Sequence, residues 1–66
     1  MDKKEYINNL IERYGTALLT KAQAAKELQI SQNQLDRLRQ TGEIKYSKVG
    51  AKIIISAAAI ADFMVA

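Results

Sequence analysis

The sequence predicts a small, mostly helical fold with one β-hairpin, and three observations carry that prediction. Thr20 is followed three residues later by Gln23, and Ser31 by Gln34, so two helix-start signals of the same form lie within a dozen residues. Ahead of them Tyr6, Ile7, Leu10, Ile11 and Tyr14 recur at helical spacing. After Gly42 the period changes, and two β-prone runs, IKYSKV and KIII, flank Gly50-Ala51.

Each element follows from its own residues. The leading stripe predicts an amphipathic helix over 3–14, with Gly15 where a left-handed C-terminal cap is wanted. TALLT, residues 16–20, is an extended lead-in to Thr20, which caps a helix to about Leu28 with Ala22, Ala25 and Leu28 as its inward face. LQIS is too short to be anything but a tight turn. Ser31 then caps a second helix that runs to Thr41 and ends at Gly42. In both cases the hydroxyl can accept from the third amide while the glutamine reaches back to the cap. Two short helices at such a corner form the core of a helix-turn-helix, although capping alone fits a ligand-free helical hairpin equally well.

The two β-prone runs read as a hairpin whose tight turn uses Gly50, a wing behind the helix pair. Ser56 caps a last helix over 57–65 that lines up Ile60, Phe63 and Met64 on one face. The expectation is a winged helix-turn-helix over 16–66 preceded by an additional N-terminal amphipathic helix over 1–15, in a single compact domain.

Composition excludes several functions. A chain of 66 residues has room for one domain with a modest core. Without Cys or His it has no disulfide and none of the usual zinc sites, so packing and partners must stabilise it. The N-terminal residues have scattered charges and no apolar run long enough for a signal peptide or a membrane span, and the lack of Cys fits a reducing cytoplasm. There is no Gly-rich phosphate loop, and the few carboxylates do not cluster. A binding module without catalytic residues, metal or cofactor is expected.

The net charge of +3 is unevenly placed. Residues 1–15 balance, with Lys3, Lys4 and Arg13 against Asp2, Glu5 and Glu12. Residues 16–56 carry Lys21, Lys26, Arg37, Arg39, Lys45, Lys48 and Lys52 against Glu27, Asp36 and Glu43. A basic patch on a helix pair and wing is the electrostatic footprint of a protein that meets phosphates.

With Leu35 and Leu38 turned inward, 100° per residue puts Asn33, Asp36, Arg37 and Gln40 on the opposite face, with Gln32 and Arg39 toward one side. Those residue types read base edges. Asn and Gln pair bidentately with adenine, Arg with guanine, and Asp accepts from the cytosine amino group. Gln32, Asn33, Asp36, Arg37 and Gln40 are therefore the candidate base readers. Thr20, Lys21, Ser31 and Arg39, together with Lys45, Lys48 and Lys52 on or beside the wing, are the candidates for the DNA backbone. Cations on a ribbon approach phosphates but identify bases poorly. A solvated helix face, and lysines that merely blunt an edge strand, would have the same composition.

The order of features from Leu18 to Phe63 resembles the small winged-helix domains of the excisionase family, related to the DNA-binding domains of MerR-type regulators and of some phage terminase small subunits. The matching positions are Leu19-Thr20, Ala24-Ala25, Leu28, Ser31, Leu35, Arg37, Leu38, Gly42-Glu43-Ile44, Lys48-Val49-Gly50, Lys52 and Phe63. The chain departs from the pattern at Asp36, where the family commonly has an aromatic residue, at Lys52-Ile53-Ile54 in the wing, and in the alanine-rich last helix. The resemblance implies double-stranded DNA binding, with the second helix in the major groove and the wing on the adjacent backbone or minor groove. It points to an excisionase, that is, a recombination directionality factor, or to a small transcriptional regulator of a mobile genetic element.

Two other readings remain open at this point. One is a protein–protein adaptor that docks on a recombinase or a replication enzyme. The other is the DNA-recognition module of a phage packaging system, which calls for a further domain. The tail also leaves Ala57, Ala58, Ala61 and Val65 off the Ile60 face, where either the leading helix or a second copy in a homo-oligomer on DNA would cover them.

Overall fold

Asp2 starts the first helix: its side chain accepts from the Glu5 amide at 2.7 Å and closes the first turn. The computed structural model describes residues 2–65. In chain order they form α1 (Lys3–Tyr14), β1 (Leu18–Thr20), α2 (Lys21–Leu28), α3 (Gln32–Gln40), β2 (Ser47–Val49), β3 (Lys52–Ser56) and α4 (Ala57–Val65). Both capping boxes form as expected. Thr20 and Ser31 each accept from the amide three residues on at 3.1 Å, and Gln23 and Gln34 each accept from the cap amide at 3.0 Å.

The α2–α3 corner is held by backbone geometry. Gln29 lies in the left-handed region at φ 57°, its amide donates to the Lys26 carbonyl, and the Ile30 amide donates to that of Ala25. This is a Schellman stop with glutamine in the position glycine usually takes. The end of α3 repeats the motif with Gly42 at φ 80°, where the Glu43 amide reaches the Leu38 carbonyl. The same device thus ends both helices, once at ordinary cost and once with a side chain in a strained region.

The three strands form an antiparallel sheet in the order β1-β3-β2. TALLT is therefore more than an extended lead-in, because Leu19 pairs with Ile55 and joins the wing's second strand to the helix pair. The hairpin closes at Val49↔Lys52 around Gly50-Ala51, with Gly50 at φ 62° as the first central residue of a two-residue turn. The β2 strand is shorter than the IKYSKV run, since Ile44 leaves the strand path and enters the core. Four helices with this small sheet make a winged helix-turn-helix.

Leu10, Leu19, Leu35, Ile55 and Ile60, from α1, β1, α3, β3 and α4, and Ile44 from the loop after α3 are fully enclosed. Two helix faces differ from the sequence expectation. In α2 the inward residues are Ala24 and Ala25 with Leu28 beside them, and Ala22 is exposed; it lies roughly 110° around the helix from the middle of that stripe. In α4, Met64 is about half exposed, whereas Ala57, Ala59 and Ala61 are buried together with Ile60. The helix lies between α1 on one side and β3 on the other, so it is enclosed over a wide arc and needs small residues there. The leading helix of the same chain packs against α4.

Two further contacts hold α1 in place. Lys3 pairs with Asp62 of α4 at 2.9 Å, both half exposed. Glu27 of α2 receives three α1 donors: the Tyr6 hydroxyl at 2.9 Å, the Tyr14 hydroxyl at 2.9 Å and the Arg13 guanidinium at 2.6 Å. Burial pushes the Glu27 carboxyl up, but the hydrogen bonds from Tyr14, Tyr6 and Arg13 outweigh it and hold it below its usual range. Burial, and then the hydrogen bond to Glu27, push the Tyr6 phenol up to about 12.

Candidate nucleic-acid interface

The Ser31 cap and the burial of Leu35 fix which way α3 turns. Asn33, Arg37 and Gln40 then lie exposed at i, i+4 and i+7, one stripe along the outer face, and Gln32 is exposed in the first turn. Among the described residues Arg37 makes no ion pair, so its guanidinium fork is presented whole.

Asp36 has a different environment. Its Oδ1 accepts from Arg39 twice, from Nη2 at 2.6 Å and Nε at 3.2 Å, and its Oδ2 accepts from Lys21 Nζ at 3.3 Å. Arg39 hydrogen bonding, followed by that of Lys21, holds its carboxyl below the ordinary range. The Arg39 side chain is only 14% exposed, and its guanidinium stacks 4.7 Å above the centre of the Tyr46 ring. A continuous chain thus runs from the start of α2, through the middle of α3, to the segment that leads into the wing. Tyr46 had no role in the sequence reading. It is seven residues from Arg39 and across the Gly42 break, so no periodic pattern connects them.

The remaining backbone candidates divide by geometry. Thr20 and Ser31 are exposed at the starts of α2 and α3; each hydroxyl oxygen accepts the capping amide and keeps its own O–H as a donor. Lys45, Lys48 and Lys52 are all exposed and none is in an ion pair among the described residues. The register separates the two wing lysines. Lys48 is opposite Ile53, on the side that carries buried Ile55, and Lys52 is opposite Val49 on the outer side. Lys45 is nearer the tail, where its charge helps to lower the Asp62 carboxyl, after the larger effect of Lys3.

The outer face of the sheet is unexpectedly apolar. Leu18 is 60% and Val49 65% exposed, with half-buried Ile54 between them. Among the described residues there is no cavity, no cluster of side chains suited to a metal ion, and no helix long and apolar enough to cross a membrane. The candidate interface is therefore a surface, the α3 stripe flanked by the hairpin.

Comparison with known proteins agrees with this geometry. A family model described as "Helix-turn-helix domain" matches residues 18–64, which takes in β1, α2, α3, the wing and nearly all of α4 and omits α1. No curated protein and no solved structure matches the chain. With the match extending over most of its length, this chain belongs to the helix-turn-helix domain family, a family of DNA-binding folds.

Proposed function

We propose that the chain binds double-stranded DNA sequence-specifically, with α3 in the major groove and the β2–β3 wing against the adjacent backbone, as an excisionase-type factor or a small transcriptional regulator. The observation that carries this reading is the exposed Asn33, Arg37 and Gln40 stripe on α3, inside the part of the chain that matches the helix-turn-helix family. Its residue types have the bidentate geometry for adenine and guanine edges. Lys48 and Lys52, on opposite faces of the ribbon, supply phosphate contacts, and Thr20 and Ser31 donate to phosphates from the helix starts. The contacts of α1 with Glu27 and Asp62 support a reading in which the leading helix and the winged helix-turn-helix act as one unit.

The outer sheet face favours a second reading, in which Leu18, Ile54 and Val49 dock on a partner protein. A fluorescence-anisotropy titration on a pool of random duplexes across salt concentrations separates the two. DNA binding predicts that log K falls linearly with log salt, by roughly 0.9 for each phosphate neutralised. Absence of salt-dependent binding leaves the docking reading.

A further inference from the structure

Asp36 is the one acidic side chain on the reading helix, and a carboxylate facing a duplex is repelled by it unless it finds a donor base or a neutralising cation. In this fold the cations are already present. Both oxygens of Asp36 are occupied, one by Arg39 through two nitrogens and the other by Lys21, and Arg39 is further enclosed by the Tyr46 ring. To reach a phosphate, either cation must first leave Asp36, and Arg39 must also leave Tyr46.

We infer that Asp36 is a specificity-determining residue that acts through its neighbours: it withholds Lys21 and Arg39 from the DNA backbone, and so limits sequence-independent affinity without reading a base. This rests on the DNA-binding reading above. Non-specific affinity is set by how many phosphates a protein neutralises, whereas base contacts add affinity only at the preferred sequence. Holding two cations in an internal network lowers the first term and leaves the second, the Arg37, Asn33 and Gln40 stripe, intact. The network also ties α2, α3 and the wing approach to one carboxylate, so the reading face and the hairpin keep a fixed relation.

The test measures binding to two duplexes, one of random sequence and one recovered as the preferred site from a randomised pool, across salt concentrations. Asp36→Asn keeps the side chain's size and removes its charge. The expected result is a salt slope on the random duplex steeper by about one unit for each cation released, and random-duplex affinity raised roughly eightfold per cation at 0.1 M salt, because each phosphate contributes a slope near 0.9. The preferred-to-random ratio falls, and Asp36→Glu restores the parent's slope. An unchanged slope with a loss confined to the preferred site makes Asp36 a base reader and overturns the inference. Reduced thermal stability with both affinities unchanged makes it structural only and also overturns it.

Lys21→Gln provides a second measurement that does not depend on how Asp36→Asn folds. In the parent background it leaves the random-duplex slope as it was, because Lys21 is already engaged; a drop of about one unit contradicts the inference. A parent protein whose binding to both duplexes is indifferent to salt refutes the DNA reading itself, and the inference with it.

Discussion

Replacing Glu27 by alanine removes the acceptor on which Tyr6, Arg13 and Tyr14 converge. The Glu27 side chain is only 9% exposed, so the carboxylate is well shielded from water. Hydrogen bonds to a charged acceptor contribute about 1.5–3 kcal/mol each, and the two phenols, both partly exposed, fall at the low end of that range. The Arg13 guanidinium stands in solvent and adds nothing to the figure. The loss is then about 3 kcal/mol, against a total of roughly 3–10 kcal/mol for a chain of this size. Urea unfolding followed by circular dichroism reads it directly, and the melting temperature should fall by about 10–20 °C.

Tyr6→Phe and Tyr14→Phe should each cost about 1.5 kcal/mol, and neither should cost anything further once Glu27 is gone. The folded-state pKa of Glu27 is depressed, so its stabilisation is present above the ordinary value of 4.5 and is lost as pH falls through the folded value. Tyr6 behaves in the opposite sense. Its pKa is raised from 10.0 to about 12, so its contribution is complete below pH 10 and is lost as pH rises toward 12. A Glu27→Ala protein that loses under about 0.5 kcal/mol, or full additivity with the tyrosine changes, would refute the view that this carboxylate fastens α1 to the helix pair.

Three other outcomes follow from the same structure. Lys48→Ala and Lys52→Ala should each flatten the salt slope by about one unit while sparing sequence preference, measured by anisotropy on preferred and random duplexes. Gln29→Gly should stabilise the protein by about 0.5–1 kcal/mol in urea, since glycine adopts φ 57° without the side-chain penalty that glutamine carries. Ala61→Glu places an unpaired carboxylate at a fully buried position, so its cost, about 4 kcal/mol or more, should leave the chain largely unfolded by circular dichroism.

The parts of this fold that were legible in the sequence are those set by neighbours along the chain. The Thr20 and Ser31 capping boxes, the stop at Gly42 and the turn at Gly50 depend on residues a few positions apart, and each forms where the sequence puts it. Helix phase was less legible where partners decide it. Periodicity alone turns Ala22 and Met64 inward, but Ala24 and Ala25 in α2, and Ala57, Ala59 and Ala61 in α4, are the residues buried instead. Of the Asp36 network, the i, i+3 pairing with Arg39 is visible in sequence, yet it competes with a groove role for the same residue. Lys21 and Tyr46, the other two members, are brought to Asp36 and Arg39 only by the corner and by the chain's return after Gly42. The three α1 donors on Glu27 are equally remote from it in sequence.

The central claim, that the exposed face of α3 reads base pairs, is tested most directly by selection from a randomised duplex pool with the parent and with Arg37→Ala. Arg37 is exposed, makes no ion pair among the described residues and is absent from the core, so its removal leaves the fold unaltered. The account predicts that the parent enriches one short motif, and that the variant loses preference at a G·C pair within it and binds the parent's motif about 1–3 kcal/mol more weakly. Recovery of the parent's full motif by Arg37→Ala, at the parent's affinity, would contradict it.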